Sequence, residues 1–214
     1  MKAVLFDLDG TLLNTLADIR YYVNETLRSF SDPEISEEQA RTFVGDGAKR
    51  LIERSLPQGA TNLEECYLHF KEHFAKSENE RTTLYEGEMQ VLTALKEAGY
   101  QLGVVTNKPQ DATEGCIQKF FPQGFFDYVG GDSGMFPIKP DPTPARFAAL
   151  YLRVAPLDCV FVGDGETDVL TAKNAGMRGI STLWGYRTKQ QLQAVGANAF
   201  ASSFEELGKI LQKF

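Results

Sequence analysis

The chain is poor in cysteine: Cys66, Cys116 and Cys159 are odd in number, widely separated and without CxxC spacing. That excludes a disulfide framework and a cysteine zinc site, and leaves the three as small buried hydrophobes. Histidine is scarcer still. His69 and His73 stand at i and i+4, a spacing that can hold a metal on a helix, but no glutamate signature or third ligand accompanies them, so they read as part of a helical face. Basic charge is also short, 22 Lys and Arg against 29 Asp and Glu, and the net charge of -7 speaks against a general nucleic-acid or membrane surface. Long hydrophobic runs are missing: no window approaches the length that crosses a bilayer, and the opening residues show no basic region, apolar stretch or cleavage site. A soluble cytoplasmic protein is expected, with no nucleic-acid or membrane partner. Solenoid-period repeats and low-complexity tracts are lacking too.

What is present is an ordinary globular composition, 43% hydrophobic and 24% charged, over 214 residues, enough for one domain or a core with a smaller insertion. Residues 4–13 read Val-Leu-Phe-Asp-Leu-Asp-Gly-Thr-Leu-Leu. The apolar run predicts a buried strand delivering Asp7 and Asp9 to its carboxyl end, where open α/β sheets place their chemistry. Two carboxylates two residues apart repel unless a cation or a shared proton lies between them, and the metal reading is the stronger.

Beyond Asn14 the pattern turns helical. Thr15 followed by Asp18 suggests a helix N-cap with an acidic N3 residue, and Ile19, Tyr22, Val23, Thr26, Leu27 and Phe30 follow a 3.6-residue period. Further helices are predicted near 36–44, 47–56 and 61–78, with no strand until Gln101. From Glu88 helices and strands alternate: helix 88–98, strand 101–106, helix 110–119, strand 126–130, helix 142–152, strand 158–163, helix 165–175, strand 178–183, a short strand near 198–200 and helix 203–212. Such alternation predicts a parallel sheet. The architecture expected is α/β, a core of residues 1–14 and 84–214 with an all-helical cap, residues 15–83, inserted after the first strand and hanging over the strand ends. The hinge candidates are Leu12 to Leu16 and Thr83 to Gly87.

Four motifs fall at or just past predicted strand ends: Asp7-Leu-Asp9-Gly10-Thr11; Thr106-Asn107; Lys139-Pro140, ahead of a proline-started helix; and Gly163-Asp164-Gly-Glu-Thr-Asp168. In order and spacing they resemble the haloacid dehalogenase-like hydrolase superfamily over essentially the whole chain, with the insertion placed as in its C1-type helical cap. Within that superfamily the chain looks like the phosphoglycolate phosphatase branch. The resemblance implies a Rossmann-like core, a Mg²⁺ cofactor, and hydrolysis of a small phosphorylated metabolite through an aspartyl-phosphate.

On that resemblance Asp7 is the nucleophile and a metal ligand, and Asp9 is the general acid and then base. Asp9 also decides the reaction class, because dehalogenase members lack an acid there. Thr106 and Asn107 donate to phosphoryl oxygens, and Lys139 neutralises Asp7 and the transferring group. Asp164 completes the metal site with the Asp7 carboxylate and the Asp9 backbone carbonyl, while Asp168 orients Lys139 or a metal-bound water. The bland alternatives for Asp164 and Asp168 are a helix cap and a first-turn dipole partner. Asn14 and Thr15 replace the branch's usual aspartate and serine. Lys49 and Arg50, in a segment similar to the branch's cap loop, can meet a substrate carboxylate or second anion, or else lie on a solvated helix that starts at Asp46 or Gly47. Trp184 to Arg187 can line the pocket or pack in the core. A phosphomutase of the β-phosphoglucomutase kind is the second reading and a non-catalytic binding protein the third. A monomer or weak homodimer is expected.

Overall fold

The computed structural model describes residues 2–213. Its centre is β1 (Ala3–Phe6), whose four residues are buried on both faces, as the uninterrupted apolar sequence requires. Around it β4 (Gln101–Pro109), β5 (Tyr128–Asp132), β6 (Cys159–Gly163), β7 (Arg178–Thr182) and β8 (Phe200–Ala201) form one sheet in the order β5-β4-β1-β6-β7-β8, with every pairing parallel. The order places β1 between β4 and β6, so the carboxyl ends of these three strands adjoin. Connections leave to opposite sides there, and such a switch point opens a crevice.

Period-two alternation assigns the two faces. Val4 and Phe6 point to one side, against Leu92 and Leu95 of α5 (Glu88–Glu97) and Phe204, Leu207 and Leu211 on or beside α10 (Phe204–Leu211). Ala3 and Leu5 point to the other, where Ala145, Ala148 and Ala149 of α7 (Thr143–Tyr151) and Ala172 and Ala175 of α8 (Glu166–Ala175) let the helices sit close to the strands. The remaining core helices are α6 (Gln110–Phe120) and the short α9 (Lys189–Ala194), which lay outside the sequence expectation.

Between the first two strands of the sheet run α1 (Leu16–Ser29), α2 (Glu37–Phe43), α3 (Ala48–Ser55) and α4 (Leu63–Ala75). They enclose their own apolar cluster, including Ile19, Val23, Ile52, Phe70 and Phe74. The chain enters and leaves this helical layer through β2 (Leu13–Asn14) and β3 (Thr83–Leu84), an antiparallel ribbon of two residues each at the two segments named as hinges. It is too short to show any alternation in sequence.

Several details differ from the sequence reading. The capping role expected of Thr15 is not made: its side chain forms no cap hydrogen bond and its hydroxyl instead donates to Asp9 at 2.7 Å. Asp18 turns away from the helix end and accepts from the Thr82 hydroxyl at 2.6 Å and the Arg81 amide at 3.0 Å, tying α1 to the chain as it leaves the layer. The third sheet strand in sequence begins at Tyr128 rather than 126, because Phe126 is buried in the cluster of Phe121 and Leu102 before the chain extends.

Candidate active site

The site grows from the end of β1. The Asp7 amide donates to the Val162 carbonyl at 2.9 Å, continuing the sheet by one residue, and the Asp7 carboxylate then faces the crevice. Its Oδ1 accepts from the Leu8 amide at 2.8 Å and from Lys139 Nζ at 2.9 Å. Gly10 turns the chain with φ 81°, a conformation that favours glycine, and a β-carbon there would also collide with the Asp164 carboxylate.

Asp9, two residues on, occupies a different environment. Its Oδ1 accepts from the Thr15 hydroxyl at 2.7 Å and from Lys108 Nζ at 2.9 Å. The Tyr186 hydroxyl completes this side, 3.2 Å from the Thr15 hydroxyl and accepting from the Thr15 amide at 3.0 Å. The two carboxylates therefore have separate partners.

Asp164 follows β6, so parallel pairing brings it beside Asp7. It accepts from the Thr11 hydroxyl at 3.0 Å and the Tyr186 amide at 2.7 Å. Asp168, one turn into α8, accepts from Lys139 Nζ at 2.6 Å and returns to the Gly165 amide at 2.9 Å. Asp168 is thus both the first-turn cap of α8 and the second carboxylate on Lys139, which joins the two sequence alternatives.

Carboxylate oxygens of Asp7, Asp164 and Asp168 lie within 4.8 Å of one another, all buried. Burial, the Asp168 charge and the Asp9 charge push the Asp7 pKa up to about 6, against the pull of Lys139. Burial and the charges of Asp168 and Asp7 push Asp164 up to about 7, against the Tyr186 amide and Thr11 hydroxyl. Burial opposes the Lys139 charge, but the Asp168 and Asp7 carboxylates outweigh it and its pKa is raised. One lysine among three buried carboxylates leaves negative charge uncompensated, and an all-oxygen donor set of this kind suits a hard divalent cation such as Mg²⁺.

Asn107 does something other than the expected phosphoryl binding with its side chain. Its Oδ1 accepts from the Lys139 amide at 2.8 Å, and its Nδ2 donates to the carbonyls of Lys139 and Gly45 at 3.0 Å each. Both amide hydrogens are engaged, so the side chain holds the Lys139 loop against the helical layer. Thr106 lines the cleft, and among the described residues its hydroxyl oxygen accepts the Lys108 amide at 3.3 Å, leaving its proton to donate.

Lys49 and Arg50, expected to meet substrate, are not brought to the site. Their side chains are 54% and 64% exposed and pair with Glu64 and Glu53. Helix phase is the cause: α3 buries Ala48, Leu51, Ile52 and Ser55, which turns positions 49 and 50 outward. Asp46 borders the cleft and pairs with Arg54 at 2.5 Å. The residue that the sequence reading did not single out is Lys108; Thr15, expected as a helix cap, is instead a partner of Asp9. The signal for Lys108 is its place directly after Thr106-Asn107, at the carboxyl end of the strand that adjoins β1. Arg187, foreseen only as a pocket-lining candidate, bridges Glu166 at 2.8 Å to the carbonyls of Arg41, Thr42 and Val44 in the helical layer.

A doubly wound sheet with a helical insertion after its first strand and acidic, hydroxyl and lysine motifs at its strand ends defines a class of hydrolases. The haloacid dehalogenase-like hydrolase family matches residues 4–182, and the chain belongs to it. The phosphoglycolate phosphatase of Vibrio parahaemolyticus is 32% identical over 99% of this chain and 96% of that protein. The phosphoglycolate phosphatase of Pasteurella multocida is 34% identical over 86% and 87% respectively. Among solved structures, a predicted phosphoglycolate phosphatase from Haemophilus somnus superposes with a TM-score of 0.89 at 28% identity, covering 99% of this chain and 98% of that one.

Proposed function

We propose that this hydrolase is a Mg²⁺-dependent phosphomonoesterase acting on a small phosphorylated metabolite, with phosphoglycolate as first candidate because relatives of nearly full coverage carry that name. The observation that carries the reading is the separation of the two carboxylates: Asp7 sits in the cluster of Lys139 and Asp164, while Asp9 is held apart by Thr15 and Lys108. A nucleophile has to stay ionised beside positive charge, and a proton carrier has to survive the step unconsumed; one residue cannot do both.

In this reading an Asp7 carboxylate oxygen forms a bond to phosphorus as the ester oxygen leaves with a proton from Asp9. Lys139 compensates charge on Asp7 and on the transferring group, and the Thr106 hydroxyl donates to a phosphoryl oxygen. Asp9, now ionised, takes a proton from the water that attacks phosphorus, which frees phosphate and restores Asp7. Asp7, Asp164 and the Asp9 backbone carbonyl would hold Mg²⁺, which when bound neutralises phosphoryl charge. Asn107 and Asp168 keep Lys139 in position. Residues 15–83 act as a cap domain on the core of 1–14 and 84–214, closing the cleft with apolar side chains of Ile19, Leu51, Phe70 and Phe74.

Phosphate release from an aryl phosphate and from phosphoglycolate, measured with and without Mg²⁺, tests the proposal. Activity should require the metal and fall by about 1000-fold or more in Asp7→Asn with the protein still folded; undiminished turnover in that variant would remove Asp7 as nucleophile.

A further inference from the structure

The cations around the cleft differ in how many acceptors hold them. Lys139 is shared by Asp7 and Asp168, and Arg187 by Glu166 and three carbonyl oxygens of the helical layer. The Lys108 side chain is 1% exposed, yet its ammonium, with three N–H donors, has Asp9 Oδ1 as its acceptor among the described residues. Its other close neighbour is the Phe74 ring, 4.3 Å from Nζ to the centroid. A buried ammonium is costly unless it is hydrogen-bonded, and one that has a single protein acceptor and lines a cleft can take a second anion.

The position of that ammonium relates to the chemistry. Thr106 and Lys108, two residues apart at the carboxyl end of β4, both line the cleft, and the Lys108 ammonium reaches the acid Asp9. The atom bonded to the leaving oxygen must lie on the Asp9 side, and Lys108 donates to the very carboxylate that protonates that oxygen. Opposite it the layer offers Ile19, Phe70 and Phe74, which give an anion nothing to bind. Lys49 and Arg50 of the layer face solvent.

We propose that Lys108 is the specificity-determining residue of this site, receiving a carboxylate carried by the carbon next to the ester oxygen, and so selecting phosphorylated 2-hydroxy acids over neutral phosphate esters. This rests on the phosphomonoesterase reading above. An anion bound there shares the ammonium with Asp9 and replaces water that a neutral ester would leave trapped against a buried charge.

The test compares kcat/KM for 2-phosphoglycolate and for ethyl phosphate, which has a methyl group where the acid has its carboxylate, in the wild type, Lys108→Met and Lys108→Arg. The wild type should favour phosphoglycolate. In Lys108→Met the ratio of the two should fall by about tenfold or more, mainly through KM for phosphoglycolate, and Lys108→Arg should keep most of the preference. A ratio that stays constant in Lys108→Met while both rates fall makes Lys108 a positioning residue for Asp9 and overturns the proposal. A Lys108→Arg protein that loses the preference as fully as Lys108→Met also overturns it. Should Lys108→Met not fold, the arginine variant carries the test. A wild type that cleaves both esters equally overturns the specificity while leaving the phosphatase reading intact; one that cleaves no phosphate ester ends both.

Discussion

The floor of the cleft gathers Asp7, Asp9, Lys108, Lys139, Asp164 and Asp168 at the carboxyl ends of three strands, whereas the roof, contributed by the helical layer, presents mostly Ile19, Val44, Leu51, Phe70 and Phe74. The floor buries charge, at a cost visible in the raised pKa values of Asp7 and Asp164, and keeps each group through hydrogen bonds from distant segments such as Thr11, Tyr186 and Asn107. The roof buries hydrocarbon and turns α3 so that Lys49 with Glu64 and Arg50 with Glu53 pair across exposed surface. The chemistry therefore belongs to the sheet, and the layer supplies a dry cover and a shape. Where the two meet, the contacts are polar and run through backbone: Arg187 reaches three carbonyls beside α2, and Asn107 reaches Gly45. Side-chain identity in the layer can change there without loosening the grip.

That contrast breaks most visibly at Asp164. Asp164→Asn should lower activity by about 100-fold and weaken the Mg²⁺ dependence of rate. It should also raise the stability of the metal-free protein at neutral pH and above. In the metal-free protein the Asp164 pKa rises from 3.8 to about 7, so the folded state binds this proton more tightly than the unfolded chain. Stability is then lost as pH climbs from about 4 through 7, and the sign follows from more protons bound in the folded state than in the unfolded one. Asn carries no such term. Thermal melts without metal should show Asp164→Asn more stable than the wild type near about pH 8, with the gap closing toward about pH 5, and Mg²⁺ should stabilise only the wild type. A wild type whose melt ignores Mg²⁺ would remove Asp164 as a ligand.

The smallest effects are expected on the outer surface of the roof. Lys49→Ala and Arg50→Ala each break one exposed ion pair, worth at most about 1 kcal/mol, and should leave kcat/KM for any phosphate ester within about twofold of wild type. A tenfold rise in KM in either variant would bring the helical layer into substrate binding and dissolve the contrast.

Much of the floor is legible in the amino-acid sequence because parallel α/β sheets convert linear order into spatial order. Each motif comes directly after an apolar run, and strands in register bring the residues at their carboxyl ends to one edge. Asp7, Thr106 and Asp164 come together on that basis, and Lys139 and Asp168 join them from the loop after β5 and the first turn of α8. The side-chain assignments are less legible. Asn107 is found at the right edge, but only the fold shows that its amide is committed to the Lys139 loop and Gly45. Thr15 has the appearance of a helix cap in sequence, and the short β2–β3 ribbon instead aims it at Asp9. The outward phase of Lys49 and Arg50 was available from the apolar period of Ala48, Leu51, Ile52 and Ser55, a local signal outweighed by similarity to a loop. Strand β5, Tyr-Val-Gly-Gly-Asp, carries too little apolar pattern to fix its ends.

The central claim is the division of labour between Asp7 and Asp9, and Asp9→Asn with an aryl phosphate tests it most directly, since such a leaving group departs without a donated proton. The account predicts a rapid burst of about one equivalent of phenolate per chain followed by slow turnover, with a mass gain of about 80 Da on the peptide that contains Asp7. Turnover without a burst, or the added mass on a peptide lacking Asp7, would contradict it.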